Sequence, residues 1–277
     1  TQMDLGNMKC KSKDEIFHNK CKFCGKDLKP IGLDYLYTNI PISSIKYERC
    51  DCEKSKSYWN EKDLKEEIQK KRKHFEQMIS QFYIQNYSSK RIQDYQLENF
   101  IITENNKKEV EIAKDFTQKC INKNQKNGLI ITGKSGTGKT HLATAILNKI
   151  TEKDMLVLMG RLILLLDVIK DTFKDFSSKE KDIMELYSKV DMLIIDDLGT
   201  ERISSWALEK LYTIIENRNE NKLPIIVTTR FNKERLLDRF YQSEDAELAE
   251  AVIEKLYQFC YGIELKKYDG NEKEKLV

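Results

Sequence analysis

The chain has 277 residues, 40% of them hydrophobic and 34% charged, with only 11 Gly and 3 Pro; it can build a real core, and fibrous or collagen-like designs are excluded. The densest apolar stretch, 155–166, is broken by Gly160 and Arg161 and falls short of the roughly 18 to 20 residues a membrane span needs, so it reads as buried core and no membrane partner is expected. Net charge is +3, yet 18 of the 48 basic and 13 of the 45 acidic side chains lie in the first 90 residues, a basic excess that fits a weak nucleic-acid footprint or an ordinary solvated surface. The first ten residues contain no basic cluster leading into an apolar run, so no signal peptide is visible and a cytoplasmic location is expected.

From the start to about residue 52 the chain is rich in Cys, Lys and turn residues such as Cys24-Gly25 and Lys29-Pro30. Four of the seven cysteines fall here, while Cys10, Cys120 and Cys260 are scattered; in a chain of this length and compartment that argues against a disulfide scaffold. Cys21-Lys22-Phe23-Cys24-Gly25 has the form of a zinc knuckle, and Cys50-Asp51-Cys52 supplies a second pair after 25 intervening residues. Tetrahedral Zn²⁺ takes four soft ligands, and a Gly after the first pair permits the tight turn that aims backbone N–H groups at the thiolates. The second pair is tighter than the usual C-x-x-C, and reduced core cysteines or a redox pair are the other readings. His18 is a substitute ligand or a surface histidine.

The stretch 53–86 has no Gly or Pro, and Leu64, Ile68, Phe75, Met78, Ile79 and Phe82 recur at helical spacing. Its run Lys70-Lys71-Arg72-Lys73 reads as a solvated face. The pattern breaks at 87–90, which sets an expected boundary between residues 1–90, a zinc-binding module plus helix, and residues 91–277.

Beyond it, apolar strand candidates at 128–132, 155–159, 192–195, 224–228 and 262–265 alternate with helical patterns at 139–149, 162–173, 206–217, 233–240 and 247–259. That alternation predicts an α/β domain, a five-stranded parallel sheet covered by helices. The first strand runs into Gly133-Lys134-Ser135-Gly136-Thr137-Gly138-Lys139-Thr140 and then a helix, the G-x-x-x-x-G-K-T phosphate loop in its strand-to-helix context. Its glycines let backbone N–H groups wrap a polyphosphate, Lys139 reaches the β and γ phosphates, and Thr140 holds Mg²⁺. The apolar run 192–195 ends in Asp196-Asp197; Asp196 is expected to hold Mg²⁺ and Asp197 to orient or activate the attacking water. The next strand ends in Thr228-Thr229-Arg230, where a hydroxyl, Thr228 or Thr229, can sense the γ-phosphate.

Together these residues resemble the AAA+ helicase loaders of the DnaC/DnaI type, with their phage versions and the related IstB transposition helpers. The resemblance rests on the Cys pairs with Arg49-Cys50-Asp51-Cys52-Glu53, on Gln96-Leu97-Glu98-Asn99-Phe100, on the phosphate loop, on Leu193-Ile194-Ile195-Asp196-Asp197-Leu198-Gly199 followed by Ser204-Ser205-Trp206, and on Ile226-Val227-Thr228-Thr229. It implies a P-loop AAA+ core with strand order 5-1-4-3-2 and no C-terminal lid, with ATP, Mg²⁺ and Zn²⁺ as cofactors. It also implies a role: an ATPase whose N-terminal module binds a hexameric replicative DNA helicase and delivers it onto single-stranded DNA, self-associating when ATP and helicase are bound. Thr229 and Lys255 are then the expected nucleotide sensors, and Arg161, Lys170, Phe173, Lys174 and Phe176 fall in the region facing the central channel, although 162–173 also fits a buried helical face. Three departures imply slow hydrolysis. Asp197 stands where Glu is commoner, Ala251 stands where an arginine finger is usual (leaving Arg235 or Arg239 as substitutes), and Arg230 replaces an Asn. An IstB-like helper of a transposase and a weakly hydrolysing ATP-binding adaptor are the alternative functions.

Overall fold

The computed structural model describes residues 19–31, 46–86, 94–171 and 179–267, and the chain forms two compact units, Thr1–His74 and Phe75–Val277. In the first unit β1 (Asn19–Lys20) and β2 (Asp27–Leu28) pair antiparallel around a turn. A bridge between Pro30 and Tyr47, flanked by Ile31 N–H to Lys46 O and Glu48 N–H to Lys29 O at 2.7 Å each, returns the chain to that hairpin. Helix α1 (Glu53–Asn86) then begins, uninterrupted over 34 residues and reinforced by the Glu61–Lys65 pair one turn apart.

The unit boundary falls inside α1 rather than near residue 90, and the reason is packing. Phe75, Ile79 and Phe82 are buried in the core of the second unit, whereas Leu64 and Ile68, on the same sequence stripe, are exposed. The stripe therefore has two fates: its C-terminal half covers the second unit, and Tyr83 Oη accepts the Met159 N–H at 2.9 Å.

Beyond α1 the second unit continues with the segment 94–106 and α2 (Lys107–Ile121), a helix the sequence reading did not pick out because its buried stripe of Val110, Ala113, Phe116, Thr117 and Cys120 is mostly small or polar. Then follow β3 (Gly128–Thr132), α3 (Lys139–Thr151), β4 (Val157–Arg161), α4 (Leu162–Asp171), α5 (Lys179–Lys189), β5 (Met192–Asp196), α6 (Ser205–Glu220), β6 (Ile225–Thr229), α7 (Lys233–Phe240), a short 3₁₀ turn, α8 (Ala246–Phe259) and β7 (Cys260–Glu264). All five strands are parallel and lie in the order β4-β5-β6-β3-β7. Counted from β3 as the first strand and read from the β7 edge, this is 5-1-4-3-2.

Strand residues alternate between two cores. Ile130, Leu158, Leu193, Ile195, Ile225 and Val227 join the layer built with α4 to α8 and the end of α1; Leu129, Ile131, Met192, Ile194 and Ile226 join the layer built with α2 and α3. Both faces are covered, as a parallel sheet of uninterrupted apolar strands requires. Two strands shift relative to expectation: β4 starts two residues late because the Asp191 carboxylate accepts the Leu156 N–H at 2.7 Å ahead of it, and β7 starts directly at the end of α8. At the N-terminal end of the strands, the fully buried Arg218 donates to the carbonyls of Tyr187, Val190 and Pro224 at 2.8, 3.0 and 2.7 Å.

Candidate functional site

The C-terminal ends of β3, β5 and β6 meet at one place, which is where an open parallel sheet presents its ligand site. After β3 the loop 133–138 turns sharply: Gly133 has φ +144°, and any Cβ there would collide with the Leu265 carbonyl oxygen. Gly138 caps α3 in a left-handed conformation, φ +92°, with the Phe100 ring pressed to within 3.2 Å of where a side chain would begin. Thr137 Oγ1 and Lys139 Nζ each donate to Lys134 O at 2.9 Å, so the loop is cinched around its own carbonyl. Burial holds the Lys139 ammonium below its ordinary range, opposed by the charges of Asp197 and Asp196. Ser135 and Gly136 occupy the outer turn.

Opposite the loop, the Asp196 carboxylate accepts from Thr140 Oγ1 at 3.0 and 3.1 Å and from Thr228 Oγ1 at 2.6 Å. Thr228 in turn accepts the Asp197 N–H at 2.8 Å. One hydrogen-bonded chain thus links α3, β5 and β6, running from the exposed Thr140 to the buried Asp196 and Thr228, and its buried part is costly to break. Asp197 stands just past β5 with φ +55°, unusual for a residue with a side chain, and its Oδ2 accepts from the Arg230 guanidinium at 2.9 Å.

The sequence-predicted residues do not all assemble. Gly133 to Thr140, Asp196, Asp197 and Thr228 converge; Thr229, the sensor expected, turns its hydroxyl away to donate to Leu198 O at 2.8 Å, because adjacent strand residues face opposite sides. Lys255 pairs with Glu216 at 2.6 Å. That pair is near the C-terminal end of α6, close in sequence to the buried Arg218 and thus at the opposite end of the strands from the phosphate loop. Arg239 is committed to Gly199 O and Thr200 O at 3.0 and 3.2 Å, whereas Arg235 is exposed on α7. Lys170 borders a cavity of about 240 Å³ with Leu166, Arg202 and Phe240, its ammonium 5.4 Å above the Trp206 ring. Phe173, Lys174 and Phe176 lie outside the described residues, as does His18.

The sequence reading missed how the segment 94–106 serves the site. Tyr95 stacks on His141 at 4.3 Å, Asn148 donates to Tyr95 O at 2.7 Å, and Asn106 accepts from the Thr103 N–H and donates to Ile101 O. These contacts fix a strap over the start of α3 and leave Ile101 and Ile102 exposed beside Phe100. An irregular strap has no periodicity to betray it.

In the first unit the four predicted cysteines come together: all four Sγ atoms lie within 4.8 Å of one another, with Cys21–Cys52 at 3.9 Å and Cys24–Cys50 at 3.4 Å. Four sulfurs on a tetrahedral zinc with bonds of about 2.3 Å stand about 3.8 Å apart, so the donor set and spacing fit that ion. The knuckle turn is built by Gly25 N–H to Cys21 O and Cys21 N–H to Lys26 O, both 2.8 Å, with Gly25 at φ +74°. Cys52 O accepts an early bond of α1, from Lys56 N–H at 2.9 Å. The backbone N–H of Phe23, against some burial and with help from that of Cys24, holds the Cys21 thiol down to about 6. Against the backbone N–H groups of Cys52 and Ser55, burial and the neighbouring sulfurs hold the Cys50 and Cys52 thiols up, so a metal ion would have to draw the remaining protons off the cluster.

A phosphate loop facing an aspartate pair on a sheet of this order defines an ATP-binding P-loop protein of the AAA+ type. The family described as IstB-like ATP binding protein matches residues 52–276, and the chain belongs to that family. It is similar to the replicative helicase loader DnaC of Escherichia coli K12, 33% identical over 107 residues, covering 39% of this chain and 44% of that one. It is also similar to the replicative helicase loader DnaI of Bacillus subtilis, 26% identical over 145 residues, covering 52% and 46%. The chain thus spans less than half the length of either relative. A crystal structure of DnaI superposes with a TM-score of 0.56 at 25% identity, over 65% of this chain and 95% of that one. Among the described residues, no helix is long and apolar enough to cross a membrane.

Proposed function

We propose that the protein is an ATP-controlled loader that binds a hexameric replicative DNA helicase through its N-terminal unit and delivers it onto single-stranded DNA in the cytoplasm. The observation that carries this reading is the pairing, in one chain similar to DnaC and DnaI, of a hydrogen-bonded ATP site with a four-thiol module, three of whose cysteines lie ahead of the family match that begins at Cys52. In the second unit the loop N–H groups and Lys139 bind the phosphates, and exposed Ile101 and Ile102 receive the adenine. Thr140 and Asp196, already in contact, hold Mg²⁺, which neutralises phosphate charge when bound. Asp197 orients the attacking water, and Thr228 transmits the state of the site by binding both Asp196 and the Asp197 backbone. Cys21, Cys24, Cys50 and Cys52 hold Zn²⁺ and shape the first unit. Arg235, exposed, is the residue free to serve a neighbouring copy when the loader self-associates on the helicase.

Hydrolysis in this reading is slow, because Arg230 ties up the carboxylate that must face water. The same ion pair favours a second reading, an adaptor that binds ATP and barely turns it over. The family's description favours a third, a helper of a transposase. The test is a loading assay: helicase unwinding of protein-coated single-stranded DNA, with and without this protein. Stimulation by the parent chain and its loss in Lys139→Ala are expected; no stimulation by a parent chain that binds ATP would sink the loader reading.

A further inference from the structure

The four-thiol module carries a surface that metal binding does not explain. Phe23 sits at the tip of the knuckle, 36% exposed, and Tyr58, on the second turn of α1, is 37% exposed. Their rings stand 5.5 Å apart at a tilt of 56°, and Tyr58 meets Trp59 edge-on at 5.2 Å. Cations lie over this row of rings. Lys22 Nζ is 3.5 Å from the Tyr58 centroid and 4.9 Å from that of Phe23; the Arg49 guanidinium is 4.5 Å and Lys62 Nζ 4.9 Å from Trp59. Three rings and three cations thus cluster, Lys22 between Phe23 and Tyr58 and both Arg49 and Lys62 beside the half-buried Trp59, contributed by the knuckle, by the residue before the second cysteine pair and by the first turns of α1.

A small module gains by burying aromatic rings, so rings left at the surface need a partner. The accompanying cations say which kind. Lysine is depleted where proteins bind proteins, whereas clustered rings flanked by cations serve single-stranded nucleic acid: rings stack on bases, and cations follow the phosphates. Among described residues up to His74, 14 are Lys or Arg and eight are Asp or Glu, an excess that survives the roughly two negative charges of a four-thiolate zinc centre. Arg49 is paired with Asp63, and Lys62 lies 3.8 Å from Glu66. The side chains in these pairs are about half exposed, so the pairs are weak and a phosphate can displace the carboxylate.

We propose that this face of the thiol module binds single-stranded nucleic acid, with Phe23, Tyr58 and Trp59 stacking on bases and Lys22, Arg49 and Lys62 on the phosphates. The site is separate from the ATP site, and the inference does not depend on the loader reading. The protein's two tryptophans make it directly testable. Trp59 belongs to the proposed surface and Trp206 lies beside Lys170 in the second unit, so each single-tryptophan form of the full chain reports on one location.

The experiment titrates nucleotide-free Trp206→Phe and Trp59→Phe proteins with oligo(dT) and oligo(rU) of about 20 nucleotides, longer than the site of a typical single-strand-binding domain, and follows tryptophan fluorescence. Saturable quenching is expected in Trp206→Phe, where Trp59 remains, and not in Trp59→Phe. A duplex of equal length, whose bases are already stacked, is expected to quench far less. In the Trp206→Phe background, Tyr58→Ala weakens binding about ten-fold or more, and Lys22→Ala flattens the log–log salt dependence by about 0.7. Zinc content of each variant confirms that the module is intact; should Tyr58→Ala lose zinc, Lys22→Glu at the exposed tip takes its place, with the same weakening expected. Quenching of Trp206 alone would move nucleic acid to the second unit and overturn the proposal. Quenching of Trp59 by a purified replicative helicase, with none by either oligonucleotide, would overturn it in favour of a protein dock.

Discussion

Replacing Thr228 with valine removes one buried hydroxyl and almost nothing else, and the chain of bonds around it sets the expected cost. The hydroxyl donates to Asp196 Oδ1 at 2.6 Å and accepts the Asp197 N–H at 2.8 Å, in a side chain with no exposed surface. A charge-assisted bond is worth about 1.5–3 kcal/mol, and a backbone N–H stranded without a partner costs about 1–3 kcal/mol. Against this, Asp196 keeps Thr140, and the added methyl gains about 1 kcal/mol of apolar burial. The balance is a loss of about 1.5–5 kcal/mol, centred near 3. In a unit of this size each kcal/mol lowers Tm by about 2–4 °C, so Thr228→Val should melt about 6–12 °C below the parent, in the calorimetric transition that ATP shifts. Thr228→Ser, which keeps the hydroxyl, should recover most of the difference. ATP turnover should fall at least about ten-fold in the valine variant, because the Asp197 backbone loses the bond that fixes its left-handed turn; each ten-fold corresponds to about 1.4 kcal/mol of barrier. A valine variant that melts within about 1 °C of the parent and hydrolyses ATP at the parent rate would refute the view that Thr228 couples the strands.

Arg230→Asn should leave stability within about 1 kcal/mol, since the arginine of its pair with Asp197 is 44% exposed, and should raise single-turnover hydrolysis several-fold by releasing the carboxylate; an unchanged or lower rate contradicts the restraint. Arg218→Met strands three buried carbonyls that the guanidinium now serves. At about 1–3 kcal/mol for each unpaired group, partly offset because a cation is no longer buried, the loss should be about 3–5 kcal/mol, read by urea unfolding; a loss under about 1 kcal/mol would show the guanidinium to be dispensable. With zinc in the module as proposed, a strong chelator should open its four thiols to alkylation, while Cys120, pushed up to about 12 by burial, and the buried Cys260 stay unmodified until the protein is denatured. Peptide mass mapping reads the pattern, and labelling of Cys120 or Cys260 in native protein would contradict it.

The parts of this protein that show in the sequence are those where chemistry dictates spacing. The phosphate loop tolerates no other arrangement of Gly133, Gly138, Lys139 and Thr140, and the apolar runs before it and before Asp196 have only a doubly covered sheet to enter. The four cysteines converge as their spacing implies, even though the chain between them carries no strong pattern. What stays hidden is phase and context. Whether Thr228 or Thr229 meets Asp196 depends on strand register, which composition does not reveal, and a one-residue difference reverses the face. Lys255 reads as a sensor only until its partner Glu216 is known. The stripe on α1 looks uniform from Leu64 to Phe82, yet tertiary packing buries one end and exposes the other. The strap at 94–106 and its exposed isoleucines have no periodicity at all, and become visible once Phe100 is seen against Gly138.

In the proposed reading one chain joins a zinc-held partner-binding unit to an ATP switch. Native mass spectrometry of the purified protein mixed with a replicative helicase, with and without ATP, puts that reading to the test. On this reading a complex with the helicase hexamer that forms or changes stoichiometry with ATP, one zinc ion per chain, and loss of the nucleotide dependence in Lys139→Ala are expected. Protein that binds both zinc and ATP yet forms no helicase complex in either condition would contradict it.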